Sequence, residues 1–266
     1  MLRNGSAIIN DWNATQYDRF GDDRQQAARD LLQAVTLTAP AAIADLGCGS
    51  GLSTELLRNR YPDAQITGID TSPNMLEKAA ARVPDAVFAE GDLARFEPAG
   101  PLDLIYANAS FHWVGDHAQL FPRLLQTLSV GGQLAVQMPD NLHEPSHRLM
   151  RDVVGESPFR EATAGHNPDR NELLSPSEYF DVLASAGARV RVWRTLYFHE
   201  LDSVEAIADW FSTTGLTPYL DALPENLRAA YRQRYEAELA DAYPCQQNGH
   251  VLLGMPRLFI VAQRLK

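Results

Sequence analysis

The chain has 266 residues, 45% of them hydrophobic, and a formal net charge of −11, enough apolar content for one large core and no composition break that divides residues 1–266 into independent domains. The acidic balance, with no long basic run, argues against an extended nucleic-acid surface, which needs clustered Lys and Arg to displace counterions. No uninterrupted apolar stretch is long enough to span a bilayer, and Met1 to Asn10 lacks the basic and apolar regions of a signal peptide, so a cytoplasmic protein without a membrane partner is expected.

The elements follow in order. Ala41 to Leu46, after Pro40, reads as a buried parallel strand, and the glycines behind it let the backbone turn and approach a ligand. A helix from Ser53 to Arg60 is closed by Tyr61-Pro62-Asp63, and Gln65 to Ile69 forms a second strand ending at Asp70. Ser72-Pro73 supplies an N-cap and a first-turn proline for a helix to about Arg82, and Ala86 to Glu90 is a third strand reaching Gly91-Asp92. Leu102 to Ala107 is a fourth strand. After a helix near His117 to Leu128, Gly131-Gly132 introduces Gln133 to Met138 as a fifth, and Arg189 to Phe198 and Arg257 to Ala262 supply two late strands. The sum is a doubly wound, mostly parallel α/β sheet. Two long stretches, approximately 139–176 and 199–256, the second with helical Val204 to Phe211 and Leu227 to Tyr243, are expected to form a helical cap over the sheet edge.

The most informative segment is Asp45-Leu46-Gly47-Cys48-Gly49-Ser50-Gly51, with glycines at alternate positions. This differs from the G-x-G-x-x-G fingerprint, whose third glycine comes one residue later where the helix carries a pyrophosphate. A smaller nucleoside cofactor without phosphates fits better. Asp70, with Thr71 and Met75 after it, ends the second strand, where a carboxylate can accept both ribose hydroxyls; capping the following helix is its rival role. The loop amides and helix N-terminus face an anionic group such as an amino-acid carboxylate. Asp92, with Leu93, can accept an adenine amino group or be a solvated turn aspartate, and Asn108-Ala109-Ser110 either binds the amino-acid end of the cofactor or turns the chain. The two cysteines, Cys48 and Cys245, suggest no disulfide framework, and Cys48 is read as a small loop residue.

The glycine loop with Gly68-Ile69-Asp70 resembles the class I S-adenosylmethionine-dependent methyltransferases, which implies a Rossmann-like sheet of seven strands with an antiparallel last strand. Further segments narrow the match. Asp11-Trp12-Asn13, Tyr106-Ala107-Asn108-Ala109-Ser110, Gln137-Met138-Pro139-Asp140-Asn141, Trp193-Arg194-Thr195, Thr214-Gly215-Leu216 and Pro256-Arg257-Leu258-Phe259-Ile260-Val261-Ala262 resemble the trans-aconitate methyltransferase family. The loop departs from the family's frequent proline at Ser50, and the stretch from Gly155 to Arg170 matches least. The resemblance implies S-adenosylmethionine as cofactor, S-adenosylhomocysteine as product, and the monomethyl ester of a small tricarboxylate, trans-aconitate, with no obligatory protein partner. The motifs alone leave open another small carboxylic acid, or a non-catalytic cofactor-binding regulator. The same resemblance suggests that an early aromatic helix with Trp12 and Tyr17 closes over the cofactor; packing on the sheet is the plainer role.

A carboxylic acid with a pKa near 4 is already ionised at neutral pH, so no side-chain base is expected and alignment is the enzyme's task. The remaining carboxylates need cations and donors placed locally, arginine above all. Arg257, expected to begin the last strand, is the first candidate, though a packing arginine is an equal reading. Tyr197 and His199, expected to end the preceding strand on the same edge, and Trp113, Asn141 and Trp210 at the rim, are further substrate-contact candidates, with core packing the rival for each aromatic. His143-Glu144-Pro145-Ser146-His147 satisfies H-E-x-x-H, but Pro145 keeps His143 out of the helix that holds His147, so no metal site is expected.

Overall fold

The computed structural model describes residues 21–165 and 172–266. Among these residues a seven-stranded sheet runs in the order β3-β2-β1-β4-β5-β7-β6. Strands β1 (Ala42–Leu46), β2 (Gln65–Asp70), β3 (Val87–Glu90), β4 (Leu102–Asn108) and β5 (Leu128–Pro139) are parallel. The long β7 (Val251–Arg264) runs antiparallel between β5 and the edge strand β6 (Ala188–Leu201). The doubly wound sheet with an antiparallel last strand is therefore the observed architecture. Every strand of the parallel half delivers its carboxyl end to one edge, and the order reverses between β1 and β4, where a ligand crevice opens in such sheets.

Helices cover both faces. Helix α1 (Gly21–Ala34) and α2 (Leu52–Arg60) pack Ala27, Leu31 and Leu57 on one face against Ile43, Tyr106, Phe259 and Val261. The opposite face holds α4 (His117–Gln126) and α7 (Pro176–Ser185), whose Phe121, Leu124, Tyr179 and Leu183 meet Ile105, Val136 and Ile260. Local chemistry sets the helix starts. Helix α3 (Pro73–Arg82) follows Ser72, whose hydroxyl accepts from the Met75 N–H at 3.3 Å, with proline in its first turn. Helix α7 opens with a full capping box between Ser175 and Glu178.

A third core lies beyond the sheet edge. Helices α5 (Pro145–Val154), α6 (Phe159–Ala162), α8 (Val204–Ser212), α9 (Thr217–Ala222) and α10 (Glu225–Ala242) gather Met150, Phe159, Trp210, Phe211, Tyr231 and Tyr235 around Leu201, Val251, Leu253 and Met255. The two long connections thus share one apolar interior with the outer ends of β6 and β7.

Several boundaries differ from the sequence expectation. Helix α4 stops at Gln126, and β5 begins at Leu128, so Gly131 and Gly132 lie inside the strand. There the partners step from Leu102↔Leu128 to Leu104↔Gln133, a local irregularity, and Gly131 takes φ +87° to make it. Strand β7 starts at Val251, so Arg257 is mid-strand, and β6 continues through His199 to Leu201. The hairpin extends because Leu201, Val251, Leu253 and Met255 alternate onto the cap core, a reward the strand pattern alone does not display. Among the described residues, no helix is long and apolar enough to cross a membrane.

Candidate active site

The glycine loop sits at the switch point between β1 and β4. Gly47, Gly49 and Gly51 all hold positive φ, 78°, 53° and 84°, conformations that side chains with a Cβ resist. Gly47 is also closely surrounded: a Cβ there would lie 2.2 Å from Ser110 Cβ and 3.4 Å from a Leu93 methyl. Residues from the ends of β1, β3 and β4, distant in sequence, therefore meet around the loop. Gly47 and Cys48 donate their N–H groups to the Ile69 carbonyl at 2.7 and 3.0 Å, which ties the loop to β2.

Asp70 holds the loop from the other side. Its Oδ2 accepts from the Gly49 N–H at 2.9 Å and its Oδ1 from the Ser72 N–H at 3.0 Å. The helix cap is Ser72, so Asp70 braces the loop and keeps lone pairs for a ligand. Asp45 is completely buried; Ser53 and Thr54 hydroxyls both donate to its Oδ2 at 2.7 Å, while Oδ1 has no hydrogen-bond partner. Burial raises its carboxyl to about 6, opposed by those two hydrogen bonds. The Cys48 thiol is pushed up by burial and by Asp45 and Asp70, which leaves it inert as a nucleophile at neutral pH.

The other cofactor candidates take varied positions. Met75 is buried and Thr71 exposed. Asp92 is exposed, its Oδ1 accepting from the Ala94 N–H at 2.9 Å as a turn cap, and Leu93 is buried beside Gly47. The Ser110 hydroxyl donates to the Leu46 carbonyl at 2.7 Å, joining β4 to β1, after Ala109 turns the chain at φ 52°. Asn108, half-buried at the end of β4, has a buried Oδ1 with no partner. An unpaired carboxylate oxygen, an unpaired amide oxygen and a glycine cradle therefore lie on one sheet face at the ends of β1 and β4, a set of acceptors that fits the ammonium end of an amino-acid-bearing nucleoside. Trp12 and Tyr17 lie outside the described residues.

The substrate candidates divide into two groups. Arg257, 7% exposed, pairs in register with Pro139 at the end of β5 and Thr195 on β6, which puts it at the cofactor edge. Tyr197 is on the same face of the sheet; its hydroxyl donates to Asp30 Oδ2 of α1 at 2.6 Å. Burial and Asp30 raise this phenol, and the Arg257 charge acts in the opposite sense. Asn141 is buried beside them, Nδ2 lying 3.8 Å from Met255 Sδ, rather than at a rim. The His199 and Trp210 rings lie 4.8 Å apart, tilted by 31°, inside the cap, and Trp210, at 2% exposure, is a core residue because α8 turns its apolar face inward. Trp113 is exposed at 41% in the turn after β4, against His112. His143 precedes α5, exposed beside Glu172, while His147 is buried within that helix against Phe211.

Two groups of polar residues were not anticipated. Ser53 and Thr54 hold Asp45, and their only sequence signal was a position in the first turn of the helix. Gln137, 1% exposed on β5 in register with Asn108, was legible only as a lone polar residue in the apolar run Leu134 to Met138.

Known proteins agree with this geometry. A family described as Methyltransferase domain matches residues 43–132. The trans-aconitate 2-methyltransferase of Methylobacterium nodulans is 52% identical over 96% of this chain and 99% of its own, and that of Yersinia pseudotuberculosis serotype O:1b is 48% identical over 96% and 98%. Among solved structures, YcgJ from Bacillus subtilis superposes with a TM-score of 0.59 at 14% identity, covering 91% of this chain and 99% of that one. The Haemonchus contortus phosphoethanolamine N-methyltransferase 2 in complex with S-adenosyl-L-methionine gives 0.55 at 16%, covering 95% and 56%, a likeness of fold. With half its residues identical to these curated relatives from end to end, the chain belongs to the trans-aconitate 2-methyltransferase family.

Proposed function

We propose that this protein transfers a methyl group from S-adenosylmethionine to one carboxylate of trans-aconitate, forming a monomethyl ester. The observation that carries the acceptor class is Arg257, a buried cation at the cofactor edge of a chain whose net charge is −11. The overall field opposes an acidic substrate, so a polyanion needs a local counter-charge in a partly desolvated site. The specific acid comes from the near full-length relatives named trans-aconitate 2-methyltransferase.

When bound, the cofactor supplies an electrophilic methyl group on a sulfonium and leaves as S-adenosylhomocysteine. The chain's own residues bind and align. Asp70 offers acceptor lone pairs to the ribose hydroxyls, Asp92 and Leu93 edge the adenine, and Asn108 and Asp45 present buried oxygens to the donors of the amino-acid end. Trp12, Tyr17, Thr71, Met75 and Ser110 complete the proposed cofactor contacts. Arg257 holds a carboxylate that is not methylated, with its planar fork matched to two oxygens. Asn141, Tyr197, His199, Trp113 and Trp210 are proposed to shape the acid pocket directly or through the cap.

No side-chain base is assigned, because the acceptor oxygen is already anionic above pH 5. Catalysis is then a matter of orientation, which contributes up to about 7–11 kcal/mol in ideal cases. The test is a panel of tricarboxylates and dicarboxylates with isotopically labelled S-adenosylmethionine, read by mass spectrometry. The expected product is a labelled monoester of trans-aconitate, cleaved by mild alkali. Label transferred only to amines, or to no acid at all, overturns the reading.

A further inference from the structure

We propose that Gln137 contacts both reactants, its Nε2 donating to a carboxylate of the acceptor acid and its Oε1 accepting from the ammonium of the cofactor. This rests on the carboxyl-methyltransferase reading above. Gln137 is 1% exposed, and neither Oε1 nor Nε2 has a hydrogen-bond partner. Buried amides without partners are rare because desolvation is not repaid, so a native fold keeps one where a ligand completes it.

The same strand supplies the control. Gln133 lies on the same face of β5, two strand repeats away, and is 3% exposed. Its amide is paired at both ends: Oε1 accepts from the Thr36 N–H at 3.0 Å and Nε2 donates to Thr36 Oγ1 at 2.6 Å. A glutamine that serves structure here closes its hydrogen bonds within the fold. Gln133 does so at the base of the sheet, and Gln137, at the carboxyl end, does not.

Position assigns the two partners. In register on β4, about 4.8 Å away in the pairing direction, stands Asn108, whose Oδ1 is also buried and unpaired. Two adjacent acceptor oxygens call for a multivalent donor, and an ammonium with three N–H groups is one. On the other side is β7, where Phe259 pairs with Gln137 and Arg257 pairs with Pro139, next along the same face. The amide therefore stands between the cofactor crevice and the buried arginine. An amide carries a donor and an acceptor on one rigid plane, so a single side chain serves a cation on one side and an anion on the other.

Two variants test this. Gln137→Met keeps the volume and removes both polar groups; Gln137→Glu keeps an acceptor and replaces the donor with a repelling charge. With Gln137→Met, the KM for trans-aconitate should rise tenfold or more, S-adenosylhomocysteine should bind several-fold more weakly by calorimetry, and the thermal midpoint should not fall. With Gln137→Glu, S-adenosylhomocysteine should bind at least as tightly as to wild type while the KM rises further and recovers as pH is lowered. A Gln137→Met enzyme with unchanged KM and cofactor affinity, or one that only loses stability, overturns the proposal and makes Gln137 a packing residue. A wild-type protein that binds S-adenosylhomocysteine yet esterifies no acid overturns instead the reading beneath it.

Discussion

Gly49 donates its backbone N–H to Asp70 Oδ2 at 2.9 Å, across 21 residues of sequence. The bond joins the centre of the glycine loop to the end of β2, and the other Asp70 oxygen takes the Ser72 N–H at the start of α3. One carboxylate thus ties the loop both to the end of β2 and to the start of α3.

Asp70→Ala removes both functions together. S-adenosylhomocysteine affinity should fall at least a hundredfold, since charge-assisted hydrogen bonds contribute about 1.5–3 kcal/mol each. Asp70→Asn, which retains one acceptor oxygen, should lie between wild type and Ala. Titration calorimetry reads the series, and equal affinity in all three proteins would remove Asp70 from the ribose site.

Gly47→Ala places a Cβ 2.2 Å from Ser110 Cβ on a backbone at φ +78°. Positive φ alone costs about 1–3 kcal/mol, and the overlap must displace Ser110 from the Leu46 carbonyl. Lower thermal stability and loss of cofactor binding are expected. Adding Ser110→Gly should recover part of the binding, because the strain at φ +78° persists after the collision is relieved.

Asp45 makes stability depend on pH in a definite direction. Its carboxyl rises from 3.8 to about 6 in the fold, so the protonated form is favoured there. That contribution is complete below about pH 4 and is lost as pH climbs through 6, a loss of about 3 kcal/mol. Asp45→Asn has no such loss. Its unfolding free energy relative to wild type should therefore increase between pH 4 and pH 8, measured by denaturant titration; a constant difference across that range would refute the buried-carboxylate assignment.

Arg257→Ala should raise the KM for trans-aconitate at least tenfold and leave S-adenosylhomocysteine affinity within twofold. Lysine keeps the charge but lacks the bidentate fork, so Arg257→Lys should recover only part of the loss. Steady-state kinetics over the acid concentration range separate the three proteins, and an unchanged KM in Arg257→Ala would place the anchor elsewhere.

The glycine loop and the strand that ends at Asp70 were readable because their signals are local. Alternate glycines, a strand before them and Asp70 after the next strand are backbone requirements expressed within one β-α-β unit. The acid half was less readable. Arg257 was expected at the start of a strand that in fact begins at Val251, and Asn141 and Trp210, expected at a rim, are buried. Each depends on contacts between the β6–β7 hairpin and cap helices far away in sequence, which no short pattern encodes.

By itself, then, the sequence determined the alternation of strands and helices, the glycine turn after β1 and the acid at the end of β2, because hydrophobic period and glycine dihedrals act over a few residues. Only the tertiary structure decided that Asn108, Gln137 and Arg257 share one face at one sheet edge, and that Gln133 is satisfied while Gln137 is not. Strand register and the pairing of buried polar groups are set by long-range packing, and a chain position carries neither until its neighbours across the sheet are in place.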